Sequence, residues 1–200
     1  QTGDDMSISP RFPAEWEPQS AVLMAWPHEG TDWAERLESV ENCFAAIMAG
    51  ICTQQKLILC VPNERVEQQA RKQLTRAQCN VNNLIVVRLP YNDTWLRDSG
   101  PITLKNPDNS NLLLDFHFTA WGGKFEASLD DEIISQLLKS DTFINTSHQR
   151  INFALEGGGI ETDGEGTLLS TWHCLHERHP GKSREEISHI LMSSLRQDRV

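Results

Sequence analysis

The sequence has no long apolar run. None of its stretches approaches the roughly 18 apolar residues that a membrane-spanning helix needs. The first ten residues are polar and acidic, unlike the basic and apolar start of a secretory signal peptide. We therefore expect a cytoplasmic protein without a membrane partner, in which residues 1–10 are disordered or partly foreign to the natural chain.

Paired cysteine motifs are also missing. The five cysteines show no Cys-x-x-Cys spacing, and three of them, Cys43, Cys52 and Cys60, fall in apolar stretches. Reduced, buried thiols are the expected state, as in most cytosolic proteins. The run from His173 to His179 gathers metal-binding residue types but lacks the second ligand pair of a zinc site. No metal site is predicted.

Basic residues are few, because 18 Lys and Arg stand against 28 Asp and Glu, for a formal net charge of −10. Such a chain repels a phosphate backbone, so nucleic acid is not an expected partner. The same charge attracts small cations. A hydrophobic content of 38% with 23% charged residues is ordinary for a soluble globular chain of one domain or two small ones.

The common phosphate-binding glycine motifs, Gly-x-x-x-x-Gly-Lys-Ser/Thr and Gly-x-Gly-x-x-Gly, do not occur. The run Gly157–Gly159 is rich in glycine, but Glu156 precedes it. A leading glutamate would repel phosphate, whereas a carboxylate at a close-packed turn suits a cation.

Apolar patterning predicts a mixed α/β class. Strands are predicted at 20–26, 57–61 and 84–89, and hairpins at 102–105 with 112–118 and at 159–162 with 167–171. Helices are predicted at 37–51, 63–77, 128–139 and from Ser183, where Ser183 and Glu186 have capping-box spacing. The buried faces are expected to include Ile47 and Met48 in the first helix and Leu129 and Ile133 in the third.

Two segments of the chain have similar sequences. Asp98-Ser99-Gly100-Pro101-Ile102 opens the first predicted hairpin, and Glu156-Gly157-Gly158-Gly159-Ile160 opens the second. A repeated unit favours an architecture around a pseudo-symmetry axis, with Asp98 and Glu156 in equivalent places near each other. Chance similarity between two turn-entry motifs is the alternative.

The segment Asn92–Pro101 concentrates charged and aromatic side chains. Crowding Asp93, Trp95, Arg97 and Asp98 after a buried strand is unfavourable unless these groups pair or bind a partner. Carboxylates beside indole rings form a receptor for a flat cation such as guanidinium, and an indole adds about 0.5–2 kcal/mol of cation–π attraction. A purely local role, with Asp93 capping a turn and Arg97 in an ion pair, is equally compatible with the composition.

A second such segment is Trp121-Gly122-Gly123. Its glycines would allow the backbone to approach a ligand closely, although a simple turn after a strand explains them as well.

Five motif blocks occur in order at residues 14–19, 25–28, 92–101, 120–123 and 155–159, the last leading into Asp163-Gly164. Together they resemble the agmatine deiminase and bacterial-type peptidylarginine deiminase family. The resemblance implies the pentein fold, a propeller-like ring of repeated ββαβ-like α/β modules around a central site. It also implies that residues 1–200 are the N-terminal part of a single pentein catalytic domain, with only the first modules present.

In that family a guanidine is hydrolysed to a urea and ammonia through a covalent cysteine intermediate. The resemblance implies that Asp98 and Glu156 are the catalytic carboxylates that grip the guanidinium, and that Trp95 helps to wall the site. It further makes four residues candidates for substrate binding, namely Asp93, Arg97, Trp121 and Gly122.

The family's remaining catalytic groups have no match in this sequence. Neither the Gly-His-x-Asp motif of its histidine nor the late Gly-rich motif of its cysteine occurs, and Cys174 falls at a structural place. We therefore expect the nucleophile to lie beyond this chain, and the 200 residues alone to be inactive.

The resemblance favours agmatine as substrate, with N-carbamoylputrescine as product in putrescine biosynthesis. Peptidyl or free arginine, amidinotransfer on the same fold, and a non-catalytic guanidine- or polyamine-binding fragment are the alternatives. Thr119 stands where the family often has Asn, and the stretch after Cys174 is shorter than the family's, which leaves the substrate open. The expected partner is a small cationic guanidine, with no cofactor, and a homo-oligomer is compatible with the sequence.

Overall fold

The computed structural model describes residues 9–200, and its contacts divide the chain into two compact units. The parallel-sheet unit consists of residues 18–100 and 118–143. The mixed-sheet unit consists of residues 9–17, 101–117 and 144–200. The expectation for residues 1–10 falls largely on residues 1–8, which lie outside the described residues.

The parallel-sheet unit is built on three parallel strands in the order β1-β2-β3, formed by Ala21–Ala25, Lys56–Val61 and Leu84–Arg88. Four helices belong to this unit: α1 (Leu37–Ile51), α2 (Glu64–Arg76), the short α3 (Leu96–Ser99) and α5 (Ile133–Leu137). A tight helical turn, α4 (Ala120–Gly123), lies between α3 and α5 in sequence.

Strand β2 is apolar and buried from Leu57 to Val61 because both of its faces are covered, as is usual in parallel sheets. Leu57, Leu59 and Val61 pack with α1 and α2 on one face. Ile58 and Cys60 point to the other face, into the cluster that contains Ile133 and Leu137 of α5.

Among the described residues, the mixed-sheet unit contains five strands and two helices. Strands β4 (Ile102–Lys105) and β5 (Asn111–His117) form an antiparallel hairpin, and β6 (Thr146–Ala154) pairs parallel to β5. Strands β7 (Ile160–Thr162) and β8 (Leu168–Ser170) form a second hairpin. Helices α6 (Trp172–Arg178) and α7 (Arg184–Leu195) pack their apolar residues on the core of this unit.

Both hairpins, the strands predicted at 20–26, 57–61 and 84–89, and the mixed α/β class are confirmed; that these strands pair in parallel is a finding of the structure. Asn63 caps α2 by accepting a hydrogen bond from the backbone N–H of Val66, and the Ser183–Glu186 capping box begins α7. The structure adds β6 and α6, which the sequence patterns did not predict.

Three burial predictions were wrong. Ile47 is exposed because α1 turns Glu41 inward, where that carboxylate accepts hydrogen bonds from Trp26 Nε1 and Gln69 Nε2. Leu129 is exposed because the predicted third helix begins as a 3-10 turn, Asp130–Glu132, that directs Asp130 inward instead. Cys43 is also exposed, on the outer face of α1, whereas Cys52 and Cys60 are buried as expected.

Within residues 9–200, none of the helices is both long enough and apolar enough to cross a membrane.

Candidate guanidine-binding site

The segment that follows β3 is fixed by reciprocal hydrogen bonds, in which the side chains of Asn92 and Asp130 each accept from the other's backbone segment; we call this arrangement a lock. The backbone N–H groups of Asn92 and Asp93 donate to Asp130 Oδ1 at 2.7 and 3.3 Å. In return, the backbone N–H groups of Leu129 and Asp130 donate to Asn92 Oδ1 at 2.9 and 3.0 Å. This lock positions the start of the segment that carries Trp95 and Asp98.

Asp93 organises the same turn. Its Oδ1 accepts from the backbone N–H of Thr94 at 2.7 Å, and its Oδ2 accepts from the backbone N–H of Asp32 at 3.0 Å. Both carboxylate oxygens therefore bind backbone, which is the turn-capping role that the composition also allowed.

Trp95 lies next to a second indole. The rings of Trp33 and Trp95 are 5.3 Å apart, and Trp33 Nε1 donates to Thr94 Oγ1 at 2.8 Å. Trp95 itself is 38% exposed, so part of its ring faces solvent although the ring is held in place. A partly exposed, immobilised indole is suited to stacking on a flat cation.

Asp98 sits on α3, a single helical turn that Gly100 and Pro101 end. Its Oδ2 accepts a hydrogen bond from Trp121 Nε1 at 3.0 Å. The indole N–H thereby fixes the orientation of a partly exposed carboxylate. Arg97, the residue before it on α3, is exposed.

Trp121 reaches Asp98 from a left-handed turn. Four consecutive residues, Ala120 to Gly123, have φ between 48 and 89°. Such a conformation is unfavourable for Ala and Trp, at roughly 1–2 kcal/mol per residue, and easy only for glycine. The turn is closed by hydrogen bonds from the N–H groups of Gly122 and Gly123 to the Thr119 side chain and backbone carbonyl.

The ring of Trp121 is supported by two other aromatic rings. Phe118 and Phe125 contact it edge to face, with ring centres 5.4 and 5.9 Å away. Backbone strain held in place by surrounding contacts is characteristic of functional sites. Gly122, which the sequence singled out, is exposed within the strained turn.

Burial gives Asp130 an unusual proton affinity. It is only 4% exposed, and this burial raises the pKa of Asp130 to about 6, against the lowering effect of the hydrogen bonds from Asn92 and Asp93. The charge of Asp93 adds to the increase. Asp130 is thus a structural carboxyl whose charge state changes near neutral pH.

Glu156 belongs to the mixed-sheet unit. It follows β6 directly after the buried Leu155 and precedes a 3-10 turn, Gly157–Gly159, that leads into β7. Its side chain is 13% exposed and forms an ion pair with Arg178, whose side chain is 6% exposed. The Glu156 carboxylate therefore already contacts a guanidinium group.

Sequence reasoning missed Arg178, because it lies in the unpredicted helix α6. The signal that could have indicated it is general: a carboxylate beside a buried glycine turn needs a cationic or hydrogen-bonding partner. His176 and His179, which were considered as metal ligands, instead stack on Trp172 and Phe153. Among residues 9–200, no group of three or more His, Cys, Asp or Glu is arranged to hold a metal.

The structure brings four of the expected site residues into the parallel-sheet unit through one connected set of contacts. They are Asp93, Trp95, Asp98 and Trp121. Glu156 has its own environment in the mixed-sheet unit.

Comparison with known proteins identifies the family of the chain. The model of the Porphyromonas-type peptidyl-arginine deiminase family matches residues 11–200. An agmatine deiminase of Pseudomonas aeruginosa strain UCBPP-PA14 is 32% identical over 198 residues, which are 95% of this chain and 51% of the relative. An agmatine deiminase of Ectopseudomonas mendocina strain ymp is 33% identical over 197 residues, covering 94% of this chain and 51% of the relative.

Solved structures agree with this assignment. A C. jejuni agmatine deiminase with a cysteine-to-serine substitution and substrate bound is 28% identical, with a TM-score of 0.84 over 95% of this chain and 54% of its own. The Enterococcus faecalis agmatine deiminase is 29% identical, with a TM-score of 0.83 over 94% of this chain and 51% of its own. The chain thus spans about half the length of the relatives it matches, and it shares their pentein fold over that half. The resemblance expected from the five sequence blocks is confirmed: the chain belongs to the Porphyromonas-type peptidyl-arginine deiminase family.

Proposed function

We propose that the protein to which this chain belongs is a hydrolase that deiminates agmatine to N-carbamoylputrescine and ammonia. The family and the agmatine deiminase relatives support this assignment. The observation that carries it is the environment of Asp98, a carboxylate oriented by the indole N–H of Trp121 within a strained turn. A fixed carboxylate next to indole rings is complementary to a guanidinium cation.

In this proposal Asp98 and Glu156 are the catalytic carboxylates, and each can accept hydrogen bonds from a guanidinium group. Trp95 and Trp121 wall the site and exclude water, which strengthens charge interactions within it. Asp93 holds the turn that carries Trp95. Arg97 and the backbone at Gly122 are the remaining substrate-binding candidates, and Gly122 keeps the turn free of a side chain where a ligand could approach.

The proposed chemistry is nucleophilic catalysis by a cysteine. A thiolate attacks the central guanidine carbon, and one amino group leaves as ammonia after taking a proton from a histidine acid. Water then attacks the same carbon, the carbon–sulfur bond breaks, and the urea product and free thiolate result. The carboxylates hold the reacting carbon in line with the thiolate throughout.

The cysteine and histidine of this proposal are not residues of the present chain. None of its histidines lies in a His-x-Asp sequence. Cys174, which the family resemblance places at a structural position, is exposed on α6. Together with the coverage of about half of each relative, this supports the view that residues 1–200 are the N-terminal part of a single pentein domain.

The family description itself favours a second candidate substrate, arginine within a peptide. The two candidates differ beyond the guanidine, because agmatine ends in an amine whereas peptidyl arginine continues into backbone. The carboxylates described above contact only the shared guanidine in either case.

Assay of the full-length gene product with agmatine, free arginine and an arginine-containing peptide tests the proposal. We expect ureido product mainly from agmatine, and a loss of kcat/KM of about 100-fold for Asp98→Asn and for Glu156→Gln, as when one oriented charge-stabilising group is removed.

Glu67→Gln is the matched control for Glu156→Gln. Glu67 is also ion-paired with arginine, and its side chain is 12% exposed. It should leave kcat/KM unchanged. Absence of ureido product from all three substrates, or equal losses in both glutamine variants, would refute the proposed function.

A further inference from the structure

In the ion pair between Glu156 and Arg178, only one of the two carboxylate oxygens accepts hydrogen bonds from the arginine. Arg178 Nε and Nη2 donate to the same carboxylate oxygen, Glu156 Oε1, at 3.0 and 2.5 Å. An arginine that only neutralises a carboxylate commonly uses two parallel hydrogen bonds, one to each oxygen. Here, within residues 9–200, the hydrogen bonds to the Glu156 side chain reach Oε1 alone.

Arg178 is itself held in place. Its Nη1 donates to Glu177 Oε1 at 3.0 Å, so the guanidinium is bound between two glutamates. Burial opposes the charge of Arg178, but the hydrogen bonds and charges of Glu156 and Glu177 raise its pKa above the ordinary value overall. The guanidinium is therefore a permanent cation with a fixed orientation.

The residue after Arg178 anchors the end of α6 to the strand that leads to Glu156. His179 Nε2 donates to the backbone carbonyl of Ala154 at 2.8 Å, and its ring stacks on Phe153 with ring centres 3.8 Å apart. Burial is the largest influence on His179 and lowers its pKa, which favours the neutral form of the stacked ring. Arg178 and Glu156 are thus carried by two backbone segments that are tied together two residues before Glu156.

We infer that Arg178 is a positioning residue for substrate binding: it holds Glu156 through Oε1 and leaves Oε2 to accept an N–H from the substrate guanidinium. The inference rests on the proposed function and deepens it. Side-on binding by Arg178 fixes the rotation of the carboxylate, and a carboxylate that is fixed before the ligand arrives loses less conformational freedom on binding.

Steady-state kinetics of the full-length gene product with agmatine test this inference. Arg178→Met should lower kcat/KM by about tenfold or more, because a misplaced substrate-orienting group impairs turnover. Arg178→Lys keeps the positive charge but loses the planar fork, and should lose less activity than Arg178→Met. The double variant, Glu156→Gln with Arg178→Met, should have a kcat/KM no lower than that of Glu156→Gln alone, because Arg178 acts through Glu156.

A matched control removes the same kind of ion pair elsewhere. Arg88 Nε donates to Glu67 Oε2 at 2.5 Å. Arg88→Met removes this partner of Glu67, just as Arg178→Met removes the arginine partner of Glu156. It should leave kcat/KM unchanged. Thermal unfolding of each variant separates a purely structural role from a positioning role. A folded Arg178→Met protein with the wild-type kcat/KM, or losses that multiply in the double variant, would overturn the inference.

Calorimetric titration with agmatine distinguishes failure of this inference from failure of the proposed function. If the wild-type protein binds agmatine without turning it over, the deiminase proposal fails, and Arg178→Met must still weaken binding for the inference to stand. If the wild-type protein neither binds nor converts agmatine, both fail together.

Discussion

At the scale of single residues, the described side chains of the parallel-sheet unit divide into those that shape the site and those that remain partly exposed. Asp93 and Asp130 direct their carboxylate oxygens at backbone N–H groups and thereby fix the turn after β3. Trp95 and Asp98, which that turn carries, are held in place but partly exposed. The first pair determines geometry, and the second pair carries the proposed chemistry.

Asp130 makes stability depend on pH in an unusual direction. Burial raises the pKa of Asp130 from an ordinary 3.8 to about 6, so the folded protein binds a proton more tightly there than the unfolded chain does. Because of this linkage, the free energy of unfolding should fall by at most about 3 kcal/mol as the pH rises from about 4 to about 6. Above pH 6 this contribution should level off. Asp130→Asn retains an oxygen acceptor for Asn92 and removes the titration.

Urea unfolding between pH 4 and 8 measures this effect. The Asn variant should lack the Asp130 contribution to the pH slope and should be at least as stable as the wild type at pH 8. Asp141→Asn, at an exposed loop position, serves as a control and should leave the slope unchanged. Identical pH slopes in the wild type and Asp130→Asn would show that folding does not raise the pKa of Asp130.

The indole N–H of Trp121 is a second target at the residue scale. Trp121→Phe keeps an aromatic ring against Phe118 and Phe125 but removes the donor to Asp98 Oδ2. We expect kcat/KM of the full-length protein with agmatine to fall by about tenfold or more, because one hydrogen bond to a charged group contributes roughly 1.5–3 kcal/mol. Phe44→Leu, at a ring that contacts Trp33, controls for general loss of aromatic packing. No change in Trp121→Phe would mean that Asp98 does not depend on this bond.

At the scale of elements, sequence predictions were correct where a segment is stabilised by contacts among its own neighbouring residues. The Asn63 cap, the Ser183–Glu186 capping box and both hairpin turns are encoded within a few residues, and all were predicted. Strand β6 was missed because its first residues, from Thr146, are polar and exposed and pair only because β5 is adjacent. Helix α6 was missed because it is short, has no side-chain cap and buries only Leu175.

The left-handed turn and helix α1 provide a matched test of backbone conformation. A Cβ added at Gly50 in α1 or at Gly123 in the turn would meet no atom within 4 Å, so steric clashes do not distinguish the two sites. Gly123 has φ of +79°, which is unfavourable for alanine. Gly123→Ala should therefore destabilise the protein by about 1–2 kcal/mol, whereas Gly50→Ala should stabilise it by about 0.5–1 kcal/mol.

Chemical denaturation of the two alanine variants and of Gly123→Asn completes this test. Asparagine tolerates positive φ better than alanine, so Gly123→Asn should lie between Gly123→Ala and the wild type. Equal effects of alanine at both glycines would contradict the left-handed assignment of the turn.

At the scale of the whole molecule, the proposed mechanism needs a histidine and a cysteine in motifs that this chain does not contain. The 200-residue chain alone should release no ureido product from agmatine, because it contains neither a His-x-Asp sequence nor the family's late Gly-rich cysteine motif. The assay should include Cys174→Ser. Turnover by the wild-type chain that this substitution abolishes would show that Cys174 is the nucleophile.

Family membership and much of the secondary structure were determined by the sequence alone. These predictions rest on local features: the five motif blocks, the apolar runs and the capping residues. The role of each feature can be inferred without knowing what packs against it. Which face of α1 is buried was decided by tertiary structure, because the fixed positions of Trp26 and Gln69 draw Glu41 inward. The partner of Glu156 was decided in the same way: no local pattern links it to Arg178, and only the packing of α6 against β6 brings that guanidinium to the carboxylate.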